Sequence, residues 1–509
     1  MSKGIVHLIG AGPGDPGLLT IRGRQCIEDA DVVVFDRLVN PRLLSYTKPG
    51  AELVYAGKSP DGHTLTQDQI NAVLVAKARE GKTVARVKGG DPYIFGRGGE
   101  EAEALADNGL DFEVVPGVTS AVAAPAYAGI PLTHRDFTTS VAIITGNEDP
   151  TKDESTIAWD KLSTGAGTLV FLMGMVNLPK IVERLTRYGR PGSTPVSVIR
   201  WGTWPEQVTV EGTLEDIVEK VNTAGLKNPA VIVVGEVCSL RNHLKWIERK
   251  PLFGKRILVT RSREQASALS NAITRLGGEA LEFPTIAIEA PADWAPLDRA
   301  IAEIGSYNWV VFTSVNGVRY FFSRLRALGH DVRELVGVRI CAIGPVTREA
   351  LEQRGLFIEY VPVEYQAAEI ARGMQAMVKP GDRILLPRAD IAPTMLAEAL
   401  EQMGARVDDV TAYRTVPGTG DVEAVSRMFE ARRINMVTFT SSSTVRNFVN
   451  ALGADRIGDL LKGVAVACIG PVTADTAGEY GLKVDAVAEK YTIEGLVSLI
   501  RGYFSGSGS

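Results

Sequence analysis

Short apolar runs recur along the first half of the chain, at residues 5–9, 31–35, 83–87, 112–115, 141–145, 168–173 and 229–235, and stretches of helical periodicity separate them. Runs of this length, punctuated by glycine and proline, predict the strands of open α/β sheets. The pattern breaks over Arg241 to Gly254, which is polar and basic, and a new strand is predicted directly after it at 255–260. A major boundary is expected there.

The second half repeats itself. Val311-Phe312-Thr313-Ser314 with Val318-Arg319-Tyr320-Phe321 returns as Thr438-Phe439-Thr440-Ser441 with Val445-Arg446-Asn447-Phe448. Ile343-Gly344-Pro345-Val346-Thr347 likewise returns as Ile469-Gly470-Pro471-Val472-Thr473. One period of 126 or 127 residues relates these segments, which predicts two similar α/β domains.

Composition narrows the class. A chain of 509 residues is too long for a single small module, and 45% apolar with 23% charged residues excludes disorder as its main theme. The net charge of −5 gives no general attraction for nucleic acid or a membrane surface, so local arginines must hold any anionic ligand. Cys26, Cys238, Cys341 and Cys468 lie too far apart for a disulfide framework or a zinc site, and no metal is expected. No apolar run approaches the roughly 20 residues that span a bilayer. Lys3 leads directly into a strand rather than a signal peptide, so a cytoplasmic protein is expected, and Ser505 to Ser509 reads as a flexible tail.

Candidate chemistry begins at the strand ends. Gly10-Ala11-Gly12-Pro13-Gly14-Asp15-Pro16-Gly17 follows the first strand, Lys88-Gly89-Gly90-Asp91-Pro92 the third, and Pro116-Gly117-Val118-Thr119-Ser120 the fourth. Glycines let a ligand approach the backbone, and open α/β sheets bind ligands at the carboxyl ends of their strands. Nicotinamide dinucleotide binding is disfavoured, because the glycines miss the required spacing and Pro13 and Pro16 remove two N–H donors. A tight turn without ligand is the plain alternative for any one loop; three such loops favour a shared pocket.

These loops, together with Gly129-Ile130-Pro131-Leu132-Thr133-His134-Arg135, Leu172-Met173-Gly174 and Gly57-Lys58 with His63-Thr64 and Gln67, resemble the uroporphyrinogen-III C-methyltransferases of the tetrapyrrole methylase family over about residues 3–245. The resemblance implies methyl transfer from S-adenosylmethionine to C2 and C7 of uroporphyrinogen III. Precorrin-2, a precursor of siroheme and cobalamin, is the expected product, and a homodimer through this half is implied. Carried over by motif, Pro13, Gly89, Gly90, Asp91, Ile94, Thr119, Ser120, Met173 and Gly202 would line the cofactor pocket, with Asp36 as proton acceptor and Lys58 as proton donor. A strand-end carboxylate capping a turn and a solvated lysine are the plain alternatives for the last two. Arg22, Arg24, Arg97, Arg135 and Arg200 are candidates for the polycarboxylate substrate, since guanidinium binds carboxylate bidentately. Trp201-Gly202-Thr203-Trp204 departs from the family phrase, in which small residues are expected at both tryptophan positions.

The repeated segments, with Ile257-Leu258-Val259-Thr260-Arg261 and Ala412-Tyr413-Arg414-Thr415, resemble uroporphyrinogen-III synthase over about residues 254–504. That resemblance implies cyclisation of hydroxymethylbilane with inversion of its last ring, after loss of water and without a cofactor. Tyr413 would be the proton donor, a core tyrosine being the rival reading. Arg261, Thr313, Ser314, Thr347, Ser441 and Thr473 would meet substrate carboxylates, the hydroxyl residues at helix N-termini where they equally serve as N-caps.

The implied fold class is α/β throughout: a tetrapyrrole methylase fold of two α/β domains, then a synthase fold of two similar α/β domains joined by a two-stranded ladder. The expected boundaries are 1–245, with subdomains of about 1–125 and 126–245, a linker at 246–253, and 254–504. Within the last, one domain takes 254–287 plus 417–504 and the other 288–416, and the tail is 505–509. A methylase for another tetrapyrrole fused to a non-catalytic tetrapyrrole-binding module is the alternative. Small-molecule tetrapyrroles are the expected partners, with neither nucleic acid nor membrane.

Overall fold

The computed structural model describes residues 4–57, 65–147, 156–261, 263–362, 367–418 and 420–506. The chain forms two compact units. One comprises 1–256 with 273–279 and 504–509, and the other 257–272 with 280–503.

The first unit holds two five-stranded sheets. Strands β1 (Ile5–Gly10), β2 (Val32–Phe35), β3 (Glu52–Tyr55), β4 (Val84–Lys88) and β5 (Asp111–Val115) stand in the order β3-β2-β4-β1-β5, every pair parallel. Parallel strands covered on both faces read as unbroken apolar runs. Accordingly Leu8, Ile9, Val33, Val34, Val84, Ala85 and Val87 are wholly buried. The second sheet is mixed. Strands β6 (Val141–Thr145), β7 (Thr168–Leu172), β8 (Pro195–Arg200), β9 (Val208–Thr213) and β10 (Ala230–Val234) stand in the order β6-β7-β10-β8-β9. Here β10 runs antiparallel to both of its neighbours. Three strands escape the apolar-run pattern. Edge strands β3 and β9 leave side chains to solvent and mix polar with apolar residues, and Ser197 interrupts β8.

The second unit holds the other two sheets. Its strands are β11 (Arg256–Val259), β12 (Glu279–Glu282), β13 (Ile286–Glu289), β14 (Trp309–Phe312), β15 (Arg339–Ala342), β16 (Arg383–Ala389), β17 (Arg406–Pro417), β18 (Met436–Phe439), β19 (Ala465–Cys468) and β20 (Ala486–Val487). One sheet is ordered β12-β11-β18-β19-β20, the other β13-β17-β16-β14-β15. The first of these is built from both ends of the unit's sequence. The chain passes out along β13 and back along the end of β17, and these two segments pair antiparallel from Ile286 opposite Pro417 to Glu289 opposite Arg414. The expected domain junctions at 287/288 and 416/417 fall inside this ladder.

The sequence repeat is a structural repeat. Strand β14 leads into helix Val315–Ala327 as β18 leads into helix Ser442–Leu452, and β15 and β19 lead into helices Pro345–Glu352 and Pro471–Glu479. The cores match ring for ring. Phe312 meets Phe321 edge-on at 5.5 Å, and Phe439 meets Phe448 at 5.2 Å. Helix Ile493–Ser505, anchored by Leu496 and Ile500, takes in the first residue of the segment read as a tail, and Ser507 to Ser509 lie outside the described residues. All four cysteines are free and buried. Among the described residues no helix is long and apolar enough to cross a membrane.

Phe448 is wholly buried and touches the rings of Phe283, Phe429 and Phe439. Phe448→Ala should destabilise the second unit by about 3–5 kcal/mol through lost transfer energy and a residual cavity. A lowered urea midpoint checks it.

Candidate active sites

Three loops meet at the carboxyl ends of β1, β4 and β5. Gly12 and Gly90 exchange backbone hydrogen bonds of 3.1 and 2.7 Å, and the Ala11 N–H donates to the Lys88 carbonyl at 2.7 Å. A Cβ on Gly10 would lie 2.5 Å from the Gly117 Cα, and one on Gly117 would lie 2.3 Å from the Gly90 carbonyl oxygen. These glycines are therefore required by backbone packed on backbone. Asp91 fastens the junction: one carboxylate oxygen accepts the N–H groups of Tyr93 and Ile94, and the other accepts that of Gly117 at 3.0 Å. The Asp91 carboxylate is thus engaged by backbone N–H groups of the loops it joins.

A cavity opens at this junction. Pro13, Gly89, Gly90, Asp91, Ile94, Thr119, Ser120 and Gly202 line it, with Leu172 in place of the expected Met173. Met173 is 47% exposed at φ +57°. Phe95, Arg97, Trp201 and Thr203 also hold positive φ in the loops here, and Arg432 is the other non-glycine residue to do so among those described. Conformations this costly persist where the surroundings over-determine them, and they cluster at functional sites.

The two tryptophans that depart from the family phrase form one wall. Their rings pack edge to face at 5.5 Å. The Trp204 indole N–H donates to the Pro13 carbonyl at 3.0 Å, and its ring occupies the space a Cβ on Gly14 would need, 1.9 Å away. Beside it the Asp15 N–H donates to the Thr203 hydroxyl, and the Tyr127 hydroxyl donates to the Asp15 carboxylate at 2.7 Å. Together these contacts hold the first glycine loop against the second sheet.

Asp36 stands just past β2. It accepts the Leu38 N–H at 3.0 Å, as the turn-capping alternative requires, while its other oxygen lies 3.9 Å from the Arg86 guanidinium. Lys58, His63 and Thr64 lie outside the described residues. Behind Asp36 is a charged cluster that the motifs did not disclose. Wholly buried Glu101 accepts on one oxygen from Arg86 Nε at 3.0 Å, Lys88 Nζ at 2.8 Å and Gln67 at 3.3 Å. Burial, then the Arg86 charge, pushes the Lys88 ammonium below its usual range. The available sequence signal was Arg86 and Lys88 alternating within an apolar strand.

The candidate arginines do not converge. Arg22 grips Glu113 through two hydrogen bonds, Arg24 binds Glu28, and Arg97 binds Glu100. Arg135 is exposed in a turn, Arg200 ends β8 with its Nε buried and unpaired, and none of the five lines the cavity. His7, Cys26 and Glu113 bring potential ligand atoms within 4.8 Å of one another, a grouping invisible in their spacing. Arg22 already occupies both Glu113 oxygens, which accounts for that carboxylate as an ion-pair partner.

In the second unit Tyr413 is 7% exposed, with its hydroxyl 3.0 Å from the Ser314 hydroxyl. Ser314 and Ser441 are N-caps, accepting from Gly317 and Thr444, and Thr313 directly precedes the first. Thr347 and Thr473 are not caps, contrary to that expectation. Each sits buried in the first turn of its helix, behind Gly344 or Gly470, which supplies no side-chain cap. Arg261 is half-buried, and burial lowers its pKa from the usual guanidinium range.

A glycine-lined cavity at the carboxyl ends of a parallel sheet, in one chain with a duplicated α/β pair crossed by a two-stranded ladder, defines a two-part α/β enzyme for small-molecule chemistry. Residues 6–218 match the family of tetrapyrrole (corrin/porphyrin) methylases, and residues 267–498 match the uroporphyrinogen-III synthase HemD family. The chain is 38% identical over 498 residues to the porphyrin biosynthesis protein HemD of Ruminiclostridium josui, covering 98% of this chain and 97% of that one. Its first half is 51% identical to the uroporphyrinogen-III C-methyltransferase of Priestia megaterium, over 46% of this chain and 98% of that one. It is 50% identical to the S-adenosyl-L-methionine-dependent uroporphyrinogen III methyltransferase of Methanosarcina barkeri, over 47% of this chain and 94% of that one. The chain belongs to the tetrapyrrole methylase family in its first half and to the uroporphyrinogen-III synthase family in its second.

Glu101→Gln would leave Arg86 and Lys88 buried against a neutral amide. Breaking a buried ion pair on one side costs about 3–5 kcal/mol. Urea unfolding of the first unit should show a loss of that size.

Proposed function

We propose that the chain is a bifunctional enzyme of tetrapyrrole biosynthesis. Its second half cyclises hydroxymethylbilane to uroporphyrinogen III with inversion of the D ring. Its first half methylates that product at C2 and C7 to give precorrin-2. The convergence of three glycine loops on one cavity carries this proposal, and it is supported by eight of the nine residues expected at the cofactor lining that cavity, all but Met173. The cavity fits S-adenosylmethionine: backbone is exposed at Gly89 and Gly90, Thr119 and Ser120 offer hydroxyls, and Leu172, Ile199 and Trp201 are apolar walls. When bound, S-adenosylmethionine supplies an electrophilic methyl group.

The chain's own residues then position the acceptor and manage its proton. Asp36 takes the proton that the ring gives up, with the Arg86 guanidinium 3.9 Å from its carboxylate. Lys58 is the proton donor. The pairs Arg22–Glu113, Arg24–Glu28 and Arg97–Glu100 involve half-exposed arginines. Exposed pairs contribute little, so a substrate carboxylate can replace the internal partner of each, but these arginines, with Arg135 and Arg200, do not converge on the cavity as one set. In the second half Tyr413 gives its proton to the departing hydroxyl. The first turns at Gly344 and Gly470, lacking side-chain caps, present N–H groups to substrate carboxylates, with Arg261, Thr313, Ser314, Thr347, Ser441 and Thr473 alongside. No cofactor serves this half. The first half forms a homodimer, a proposal supported by edge strand β6, whose Val141, Ala142, Ile143 and Ile144 are only half-buried. Four free, buried cysteines suit a reducing cytoplasm.

Supplied with hydroxymethylbilane alone, the chain should yield the type III isomer; formation of the symmetrical type I isomer alone refutes the synthase assignment. Given uroporphyrinogen III and labelled S-adenosylmethionine, it should transfer label to the macrocycle, and no transfer refutes the methylase assignment. Asp36→Ala should slow methylation roughly a hundredfold and leave cyclisation intact, while Tyr413→Phe should do the converse, consistent with the size of general acid–base effects.

Trp204→Ala frees the first glycine loop and should weaken S-adenosylmethionine binding roughly tenfold, about one charge-free hydrogen bond plus lost packing. Trp204→Phe should recover the packing part, as isothermal titration will measure.

A further inference from the structure

The duplication in the second unit is broken at the cap of its first repeated helix. Ser314 and Ser441 occupy equivalent positions, each in extended conformation and each capping the helix that follows. Ser441 Oγ pairs with the neighbouring Ser443 hydroxyl at 2.9 Å. Ser314 Oγ instead meets the phenol oxygen of a residue 99 positions away, Tyr413, at 3.0 Å. One copy of the repeat has thus acquired a partner that the other lacks.

A backbone irregularity brings that partner in. Strands β16 and β17 pair in step until Arg388 faces Thr411, and then Ala389 faces Tyr413, so Ala412 is passed over as a bulge. Val410, Ala412 and Tyr413 consequently join the same core, although alternation would send residues 412 and 413 to opposite faces. Bulges re-aim side chains in this way and recur beside active sites. The helix that Ser314 caps is equally fixed. A Cβ on Gly317 would lie 2.6 Å from the Pro387 carbonyl oxygen, so the first turn rests directly on β16.

At 3.0 Å either hydroxyl can donate to the other, and the surroundings of Ser314 suit it to the donor role. Ser314 Oγ already accepts the Gly317 N–H at 3.0 Å, which commits one of its acceptor sites and polarises its O–H. Donating that O–H to the phenol oxygen leaves the phenol proton available for transfer. It also places the positive end of a helix beside the oxygen that becomes charged. Around the ring, Tyr320 stacks at 5.9 Å with its own hydroxyl on the Ile288 carbonyl, the Arg319 guanidinium lies over Tyr320, and Asp390 donates its N–H to the Tyr413 carbonyl. Tyr320 and Asp390 are therefore the nearby titratable groups on the elements packed against Tyr413.

We propose that Ser314 is the positioning residue that makes Tyr413 a proton donor, its hydroxyl donating to the phenol oxygen so that the phenol proton faces the substrate. The proposal rests on the synthase activity inferred above. In the step concerned, the carbon–oxygen bond of the hydroxymethyl group breaks, driven by the electron pair of the adjacent pyrrole. The phenol proton passes to the departing oxygen, and water leaves. Tyr413 remains as phenolate, held by Ser314, until a proton released from a ring carbon on rearomatisation restores it.

The test uses the full chain with hydroxymethylbilane, product isomers separated after oxidation, and pH profiles of kcat. Ser314→Ala and Ser314→Gly should each lower kcat at least roughly tenfold, the scale of one hydrogen bond to a charged group. Glycine is tolerated at an N-cap, so the second variant separates the hydroxyl from helix capping. Without the donor the phenolate is less stabilised, so the alkaline limb should move to higher pH. Ser314→Thr should restore both rate and limb, and in a Tyr413→Phe background Ser314→Gly should cost nothing further. An unmoved alkaline limb, or full activity in Ser314→Gly, overturns the proposal. Failure of the unsubstituted chain to make the type III isomer refutes the underlying synthase reading instead.

Discussion

Backbone packed on backbone, at Gly10, Gly90 and Gly117, is the constraint on which the first unit depends. Three strand ends can converge only if no side chain stands between them, and the structure leaves no room for a Cβ at Gly10 or Gly117. Their convergence makes the cavity, sets Asp91 as its fastener, and gives Trp204 a loop to clamp. The residues around the junction accept strained conformations in consequence, from Phe95 through Thr203. Glycine here serves the architecture first, and ligand access follows from it.

Beneath that junction the first unit concentrates charge where a hydrophobic core would be expected. Arg86, Lys88 and Glu101 are buried with two positive groups on one carboxylate oxygen. Such clusters are seldom the cheapest route to stability. Its position, one residue away from Gly89 and 3.9 Å from Asp36, ties it to the site. The second unit uses a different device, a bulge and a helix cap that aim a phenol.

The loops and the repeat were legible because each leaves an imprint in residue identity. Glycine is forced where backbones touch, and a duplicated core repeats Phe312 and Phe321 as Phe439 and Phe448. Strands β3 and β9 were not legible, because edge strands with one wet face lose the apolar run, and β8 was not because Ser197 interrupts its run. Arg86, Lys88 and Glu101 escaped notice because their meaning lies in a contact between β4 and the helix Gly98–Asp107, which spacing does not encode. Asp91 was legible as a lining residue, but its role in fastening the loops was not, since that rests on backbone N–H groups, that of Gly117 distant in sequence. Thr347 and Thr473 were placed one turn position too early, because proline rather than threonine opens those helices.

The ladder of β13 and β17 also governs the order in which the chain can be assembled. Strand β11 pairs with β18, and the Thr260 hydroxyl bonds to the Thr438 carbonyl 178 positions further along. At ribosomal rates of about 5–20 residues per second, β11 waits roughly ten to forty seconds for its partner to emerge. The sheets of the first unit close by Val234, well before that wait begins. During synthesis the first half, its two sheets closed, thus carries an unpaired strand edge behind it. The fusion is most exposed to misassociation in that interval.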